Sequence, residues 1–201
     1  METNIVRFRR AVCGAALACA LIFSAVATST ASAEKYPPAP QGEDIAFVQL
    51  GTVGELVTLE LYREAAGSTA LQADEKRTFR RLAKAKVKAF QRLNSLLGEA
   101  EISGEDFAVK IPNSVLRSRG KIIALACRFE RLLAGLYLSG VQSTIDPPTR
   151  LLIGRHLVTS TRNLTILRGL RGSHANLKVP KQLSVEYVGI QFDRYLTIPG
   201  S

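Results

Sequence analysis

ELVTLELY, at residues 55–62, returns 75 residues later as ERLLAGLY, at residues 130–137. Each stretch sets a Glu seven residues before a Tyr within an apolar run, and seven residues make almost two turns of an α-helix. Glu55 and Tyr62 are therefore predicted on one helix face, and Glu130 and Tyr137 on another. About thirty residues beyond each lies a Leu-rich segment closing on Gly: RLNSLLG (92–98) and ILRGLRG (166–172). A repeat of this size predicts two helical hairpins packed as a four-helix bundle, with a carboxylate facing inward from the first helix of each. A buried carboxylate is costly unless paired or bound to metal, so Glu55 and Glu130 are where a function is to be sought.

Apolar periodicity sets the helices. The first is predicted from Asp44, its N-cap, to about Ala66, with Ile45, Val48, Thr52, Glu55, Leu59, Tyr62 and Ala66 inward and Gly67 as stop. The second runs over 74–97 with Phe79, Leu82, Lys86, Ala89 or Phe90, Leu93 and Leu97 inward, so a lysine holds its central position. The third, over 118–140, turns Ile123, Ala126, Cys127, Glu130, Leu133, Tyr137 and Val141 to the core. Asp146-Pro147-Pro148 opens the fourth, because proline suits the first helical turn. Leu152, His156, Thr159 or Ser160, Asn163, Leu167 and Leu170 are its inward stripe, and Gly169 or Gly172 ends it.

Short turns within each half imply antiparallel hairpins. The long connection between Gly98 and Gly120 implies a crossover that lays the second hairpin beside the first. Residues 181–196 predict a fifth, amphipathic helix through Leu183, Tyr187, Ile190 and Tyr195. No segment alternates with period two, so the expected class is all-α, and the bundle domain spans 44–201.

Ahead of the bundle, Arg7, Arg9 and Arg10 precede an apolar run, Ala11 to Ala27, and Ala31-Ser32-Ala33 offers a small-x-small exit. That order reads as a signal peptide over 1–33, cleaved after Ala33, with an uncleaved membrane anchor as the alternative. The Pro-rich segment 34–43 reads as an extended linker. The expected location is secreted, periplasmic or at the cell envelope. Cleavage removes three Arg and one Glu from 27 basic and 17 acidic residues, leaving 24 and 16, a net +8. Cys13 and Cys19 leave with the leader, so Cys127 has no disulfide partner and reads as a small buried hydrophobe.

With its paired Glu-x6-Tyr segments, its repeat and its crossover, the chain resembles the ferritin-like superfamily over residues 44–172, and in particular the exported ferritin-like domain proteins of bacteria. The resemblance implies a ferritin-like four-helix bundle with a short C-terminal fifth helix. It also implies a centre of two iron or manganese ions, held by one Glu from the first helix of each hairpin and a Glu-x-x-His from the second. The matching slots here are Lys86/Ala89 and Ser160/Asn163, and no Glu-x-x-His occurs after residue 33. Against the family pattern, four of six ligands are missing and one is replaced by a cation.

Lys86 is therefore expected to neutralise Glu55 or Glu130 in the space a metal would take, within a polar cluster of Glu55, Tyr62, Lys86, Glu130, Tyr137, His156 and Asn163; the alternative is that it reaches outward to water on its long stem. His156 is expected nearer Tyr137 than Glu130, bonded to the tyrosine hydroxyl; His174 is expected in a solvated loop. The leading reading is a non-catalytic structural or binding protein without a cofactor. The alternative is an oxidoreductase or an iron- or manganese-handling protein with an altered site on Glu55, Glu130 and His156. Lys76, Arg77, Arg80, Arg81, Lys84 and Lys88 crowd the second helix and read first as a solvated helical face, with a candidate anion-binding surface for envelope lipid or polymer as the alternative. No aromatic platform for bases lies among them, which argues against nucleic acid. Ser-His-Asp arrangements, Gly-rich phosphate loops and zinc spacings are absent from the sequence.

Overall fold

A computed structural model describes residues 40, 42–102, 107–172 and 180–197. The expected signal peptide (1–33), most of the linker and His174 lie outside the described residues. The described chain is mostly helical. Four long helices, α1 (Glu43–Gly67), α2 (Ala73–Asn94), α4 (Arg119–Ser143) and α5 (Pro147–Leu170), are joined by a short α3 (Asn113–Leu116) and followed by α6 (Val185–Asp193). Two-residue strands β1 (Ala108–Val109) and β2 (Leu196–Thr197) pair antiparallel, Ala108 opposite Thr197, and are the only sheet among the described residues.

The pairing of α1 with α2 and of α4 with α5 follows from their short turns, and α1 packs on α4 between the two hairpins. Contacts at the ends fix the directions. Ser68 Oγ, in the α1–α2 turn, donates to the Leu116 carbonyl at 2.6 Å, and the Arg119 guanidinium meets Glu75 at 2.7 Å. The start of α4 thus lies beside the start of α2. At the other end the Asp44 carboxylate accepts from the backbone N–H of Ile145 and Asp146 at 3.0 Å. Helix α4 therefore runs antiparallel to α1, and the connection from α2 to α4 returns along the bundle. Ile102, Phe107 and Ile111 are buried on the way.

Asp44 is a correction to the sequence reading. It caps no helix of its own; α1 starts at Glu43 behind Gly42, whose φ of 60° only glycine adopts freely. Helix α2 starts a residue early because Gln72 and Glu75 form a capping box, with Gln72 N–H donating to Glu75 at 3.0 Å. Asp146 caps α5 as expected, accepting from Thr149 N–H at 2.9 Å.

Helix α1 is not amphipathic in its middle: every residue from Gly54 to Tyr62 is buried. Helices α2, α4 and α6 cover it together. Glycines let them approach. A Cβ on Gly54 would stand 2.7 Å from Leu133 Cδ2 and 2.8 Å from Phe192 Cε2. The segment before α6 is anchored on α4, with Leu183 N–H donating to Gly135 O at 3.2 Å. Among the described residues one helix, Asp44–Gly67, is long and apolar enough to cross a membrane, and most of it is buried within the protein. Cys127 is a free, buried thiol.

Candidate functional site: a buried carboxylate–ammonium cluster

Helical spacing brings Glu55 and Tyr62 of α1 to the face that meets Glu130 and Tyr137 of α4. Because the two helices are antiparallel, each tyrosine lies level with the other helix's carboxylate. Tyr62 donates its hydroxyl to Glu130 Oε1 at 2.6 Å, and Tyr137 donates to Glu55 Oε1 at 2.7 Å. The second carboxylate oxygens converge on Lys86 of α2. Its Nζ stands 2.8 Å from Glu55 Oε2 and 3.0 Å from Glu130 Oε2. The contact to Glu130 is a directed hydrogen bond; that to Glu55 is an ion pair without hydrogen-bond alignment.

Helix α5 closes the cluster and breaks its symmetry. Asn163 Nδ2 donates to Glu130 Oε1 at 2.9 Å, whereas His156 Nδ1 lies 3.6 Å from Glu55 Oε1. His156 does stand beside Tyr137, their rings 5.5 Å apart, but the hydroxyl goes to Glu55 instead. The expected tyrosine–histidine hydrogen bond is therefore replaced by a histidine–carboxylate approach, since a carboxylate is a stronger acceptor than a ring nitrogen. Ser160, on the same face between His156 and Asn163, has its hydroxyl buried with no partner among the described residues.

All seven residues of the expected cluster are buried, and the structure brings them together. Electrostatics divides the two carboxylates. Burial raises the pKa of Glu55, but the charge of Lys86, and then His156, overcome this and hold it down at about 2. For Glu130 burial wins: desolvation, reinforced by the charge of Glu55, outweighs Lys86 and the Tyr62 hydrogen bond, and the pKa is raised. Desolvation works against the ammonium of Lys86, yet Glu130 and Glu55 more than offset it and its pKa is also raised. Both tyrosines are pushed well above 10 by burial and then by the adjacent carboxylates, so they remain donors.

This donor set does not fit a pair of dications. The ammonium lies against both carboxylates, where it would repel a metal. Among the described residues no group of three or more His, Cys, Asp and Glu side chains is placed to hold a metal ion. What the arrangement does is fix one charge balance and one helix register, by hydrogen bonds that reach from α1, α2 and α5 to α4.

The expected anion-binding residues of α2 behave differently. Arg77, Arg80, Arg81, Lys84 and Lys88 are exposed, Lys76 is half-buried, and Arg77 pairs with Asp74. Sequence reasoning missed the exposed apolar residues of the neighbouring helix, Leu151 and Val158, because it followed the inward stripe alone. Their i, i+7 spacing beside Arg155 and Arg162 was the available signal.

No family model, curated protein or solved structure matches this chain.

Proposed function

We propose that this chain is a secreted helical bundle of ferritin-like topology without a working di-metal centre, with a non-catalytic structural or binding role at the cell envelope. The topology rests on the hairpin pairing, the antiparallel α1 and α4, and the connection that returns along the bundle. One observation carries the loss of the centre: Lys86 Nζ lies within 3.0 Å of both Glu55 and Glu130. An ammonium there supplies the positive charge that two carboxylates need in a dry interior, so the bundle keeps its polar register without metal. Export rests on the Arg-flanked apolar leader and its small-residue exit. Mass measurement of the exported protein should give a chain beginning at Glu34.

Protein loaded with iron or manganese and then dialysed should carry no stoichiometric metal by elemental analysis. Retention of two ions per chain would overturn the proposal. A second reading, favoured by the 3.6 Å approach of His156 to Glu55, is an altered iron or manganese site on Glu55, Glu130 and His156. It requires that Glu55→Gln and Glu130→Gln each abolish metal uptake, and it fails where uptake in both variants equals the parent's.

A further inference from the structure

We propose that the outer face of α5 docks on an anionic lipid bilayer, with Leu151 and Val158 entering the acyl edge and Arg155 and Arg162 meeting headgroup phosphates. The inference rests on the reading of a binding role at the envelope and adds the partner to it.

Charge is segregated on α5 and on its neighbour α2. Helix α2 has no carboxylate after Glu75, and α5 has none over its whole length. The two helices are neighbours in the bundle. Their exposed residues include Arg80, Arg81, Lys84 and Lys88 on α2, and Arg155 and Arg162 on α5. The carboxylates at the head of α2 are occupied, Asp74 by Arg77 and Glu75 by Arg119.

On α5 apolar exposure coincides with this charge. Leu151 is 59% exposed, Val158 68% and Ile145, just before α5, 81%. Leu151, Arg155, Val158 and Arg162 follow one another at four, three and four residues, so they form one stripe opposite the buried His156, Ser160 and Asn163. Beside it an open groove of about 550 Å³ runs between Val141 of α4 and Leu151, Gly154 and Val158 of α5, rimmed by Arg150 and Arg155. Arg150 spends its guanidinium on the Thr144 carbonyl, at 2.8 Å, which leaves Arg155 and Arg162 for a partner.

Basic residues around bulky aliphatic ones match the two chemistries of a bilayer surface, anionic above and hydrocarbon below. A second copy in two-fold contact would set Arg155 and Arg162 against their equivalents. A soluble polyanion would leave Leu151 and Val158 uncovered. The other large exposed apolar pair, Tyr187 and Ile190 on α6, is flanked by Glu186 and Asp193 and has the wrong sign for an anionic bilayer.

Sedimentation of the full chain with vesicles tests this, using phosphatidylcholine alone and an equimolar mixture with phosphatidylglycerol. Salt at about 0.1 M and about 1 M shortens the screening length from about 10 Å to about 3 Å. Binding is expected on the anionic vesicles and to fall at high salt. Arg155→Gln with Arg162→Gln should weaken it about 25-fold, about fivefold for each Arg. Leu151→Ser with Val158→Ser should weaken it by a similar factor at both salt levels, since acyl insertion is not screened. These positions are exposed, and unchanged circular dichroism confirms the fold of each variant.

Equal binding of both variants and the parent would place attachment elsewhere, for instance on the leader, and overturn the proposal. So would equal binding to neutral vesicles, no binding at all, or a dimer that Leu151→Ser with Val158→Ser dissolves. Metal content measured on the same protein keeps the two readings apart: bound metal would sink the loss of the centre and leave the docking face standing.

Discussion

Lys86 stands between two carboxylates that otherwise share a dry interior with each other's charge. One ammonium against two carboxylates leaves one negative charge over, and the split of the pair answers it, with Glu55 held low and Glu130 raised. Glu55, lowered on folding, contributes stability that is present above its ordinary 4.5 and lost only as the pH falls toward about 2. Glu130, raised on folding, contributes stability below 4.5 that is lost as the pH rises through its folded value. Replacing Lys86 by Met removes the shared partner and leaves both carboxylates to burial, which raises both. The variant should lose about 3–5 kcal/mol at neutral pH. The deficit should shrink as acid protonates the pair. Urea denaturation at pH 7 and pH 4 reads this directly, and a deficit that grew in acid would contradict the charge balance. Glu55→Gln deletes the carboxylate that faces Lys86 at 2.8 Å, and should cost about 3–5 kcal/mol at neutral pH. A denaturation curve that matched the parent's would overturn the ion pair.

Among the helices, the sequence revealed most where the interior is polar. The Glu-x6-Tyr spacing and Lys86 on the α2 stripe named the cluster in advance, since few charged residues fall on an apolar face by accident. Apolar positions were less legible. On α5 the buried stripe takes Ile153 rather than Leu152, and Ser160 rather than Thr159, because packing selects one of two adjacent residues that periodicity leaves equivalent. On α6 the expected inward Tyr187 and Ile190 are exposed, and Val188 and Phe192 are buried instead. A nine-residue helix is too short for its periodicity to decide the face. Gly54 decides it, since Phe192 fits where a Cβ would stand 2.8 Å away. Gly54→Ala should therefore destabilise by about 1–3 kcal/mol through overpacking. Gly169→Ala, with nothing within 4 Å of its Cβ, should stabilise α5 by up to about 1 kcal/mol. Thermal unfolding of the two variants measures the contrast, and equal shifts of the same sign would refute the close-packing argument.

At the scale of the molecule, α1 is the helix around which the rest is organised. Loop lengths could announce two hairpins and a crossover, but they could not say that α6 would return over α1 and seal it. That return depends on surfaces far apart in sequence: Phe192 also packs on Phe129 of α4 with rings 5.3 Å apart, while Tyr195 meets Phe129 edge-on at 4.9 Å. The same return brings Leu196 and Thr197 to pair with the crossover, and Tyr195 O accepts from Lys110 N–H at 2.9 Å. The C-terminal segment thus fastens the connection between α2 and α4 as well as covering α1, so its loss should be felt in both. Phe192→Ala should cost about 3–5 kcal/mol, as for a large core aromatic, although it lies in a helix of only nine residues. Hydrogen exchange in this variant should show faster opening of α1 around Gly54 and of the amides of Ala108 to Lys110 together. Faster exchange confined to α6 would mean that it is an appendage, and that α1 is held by the four long helices alone.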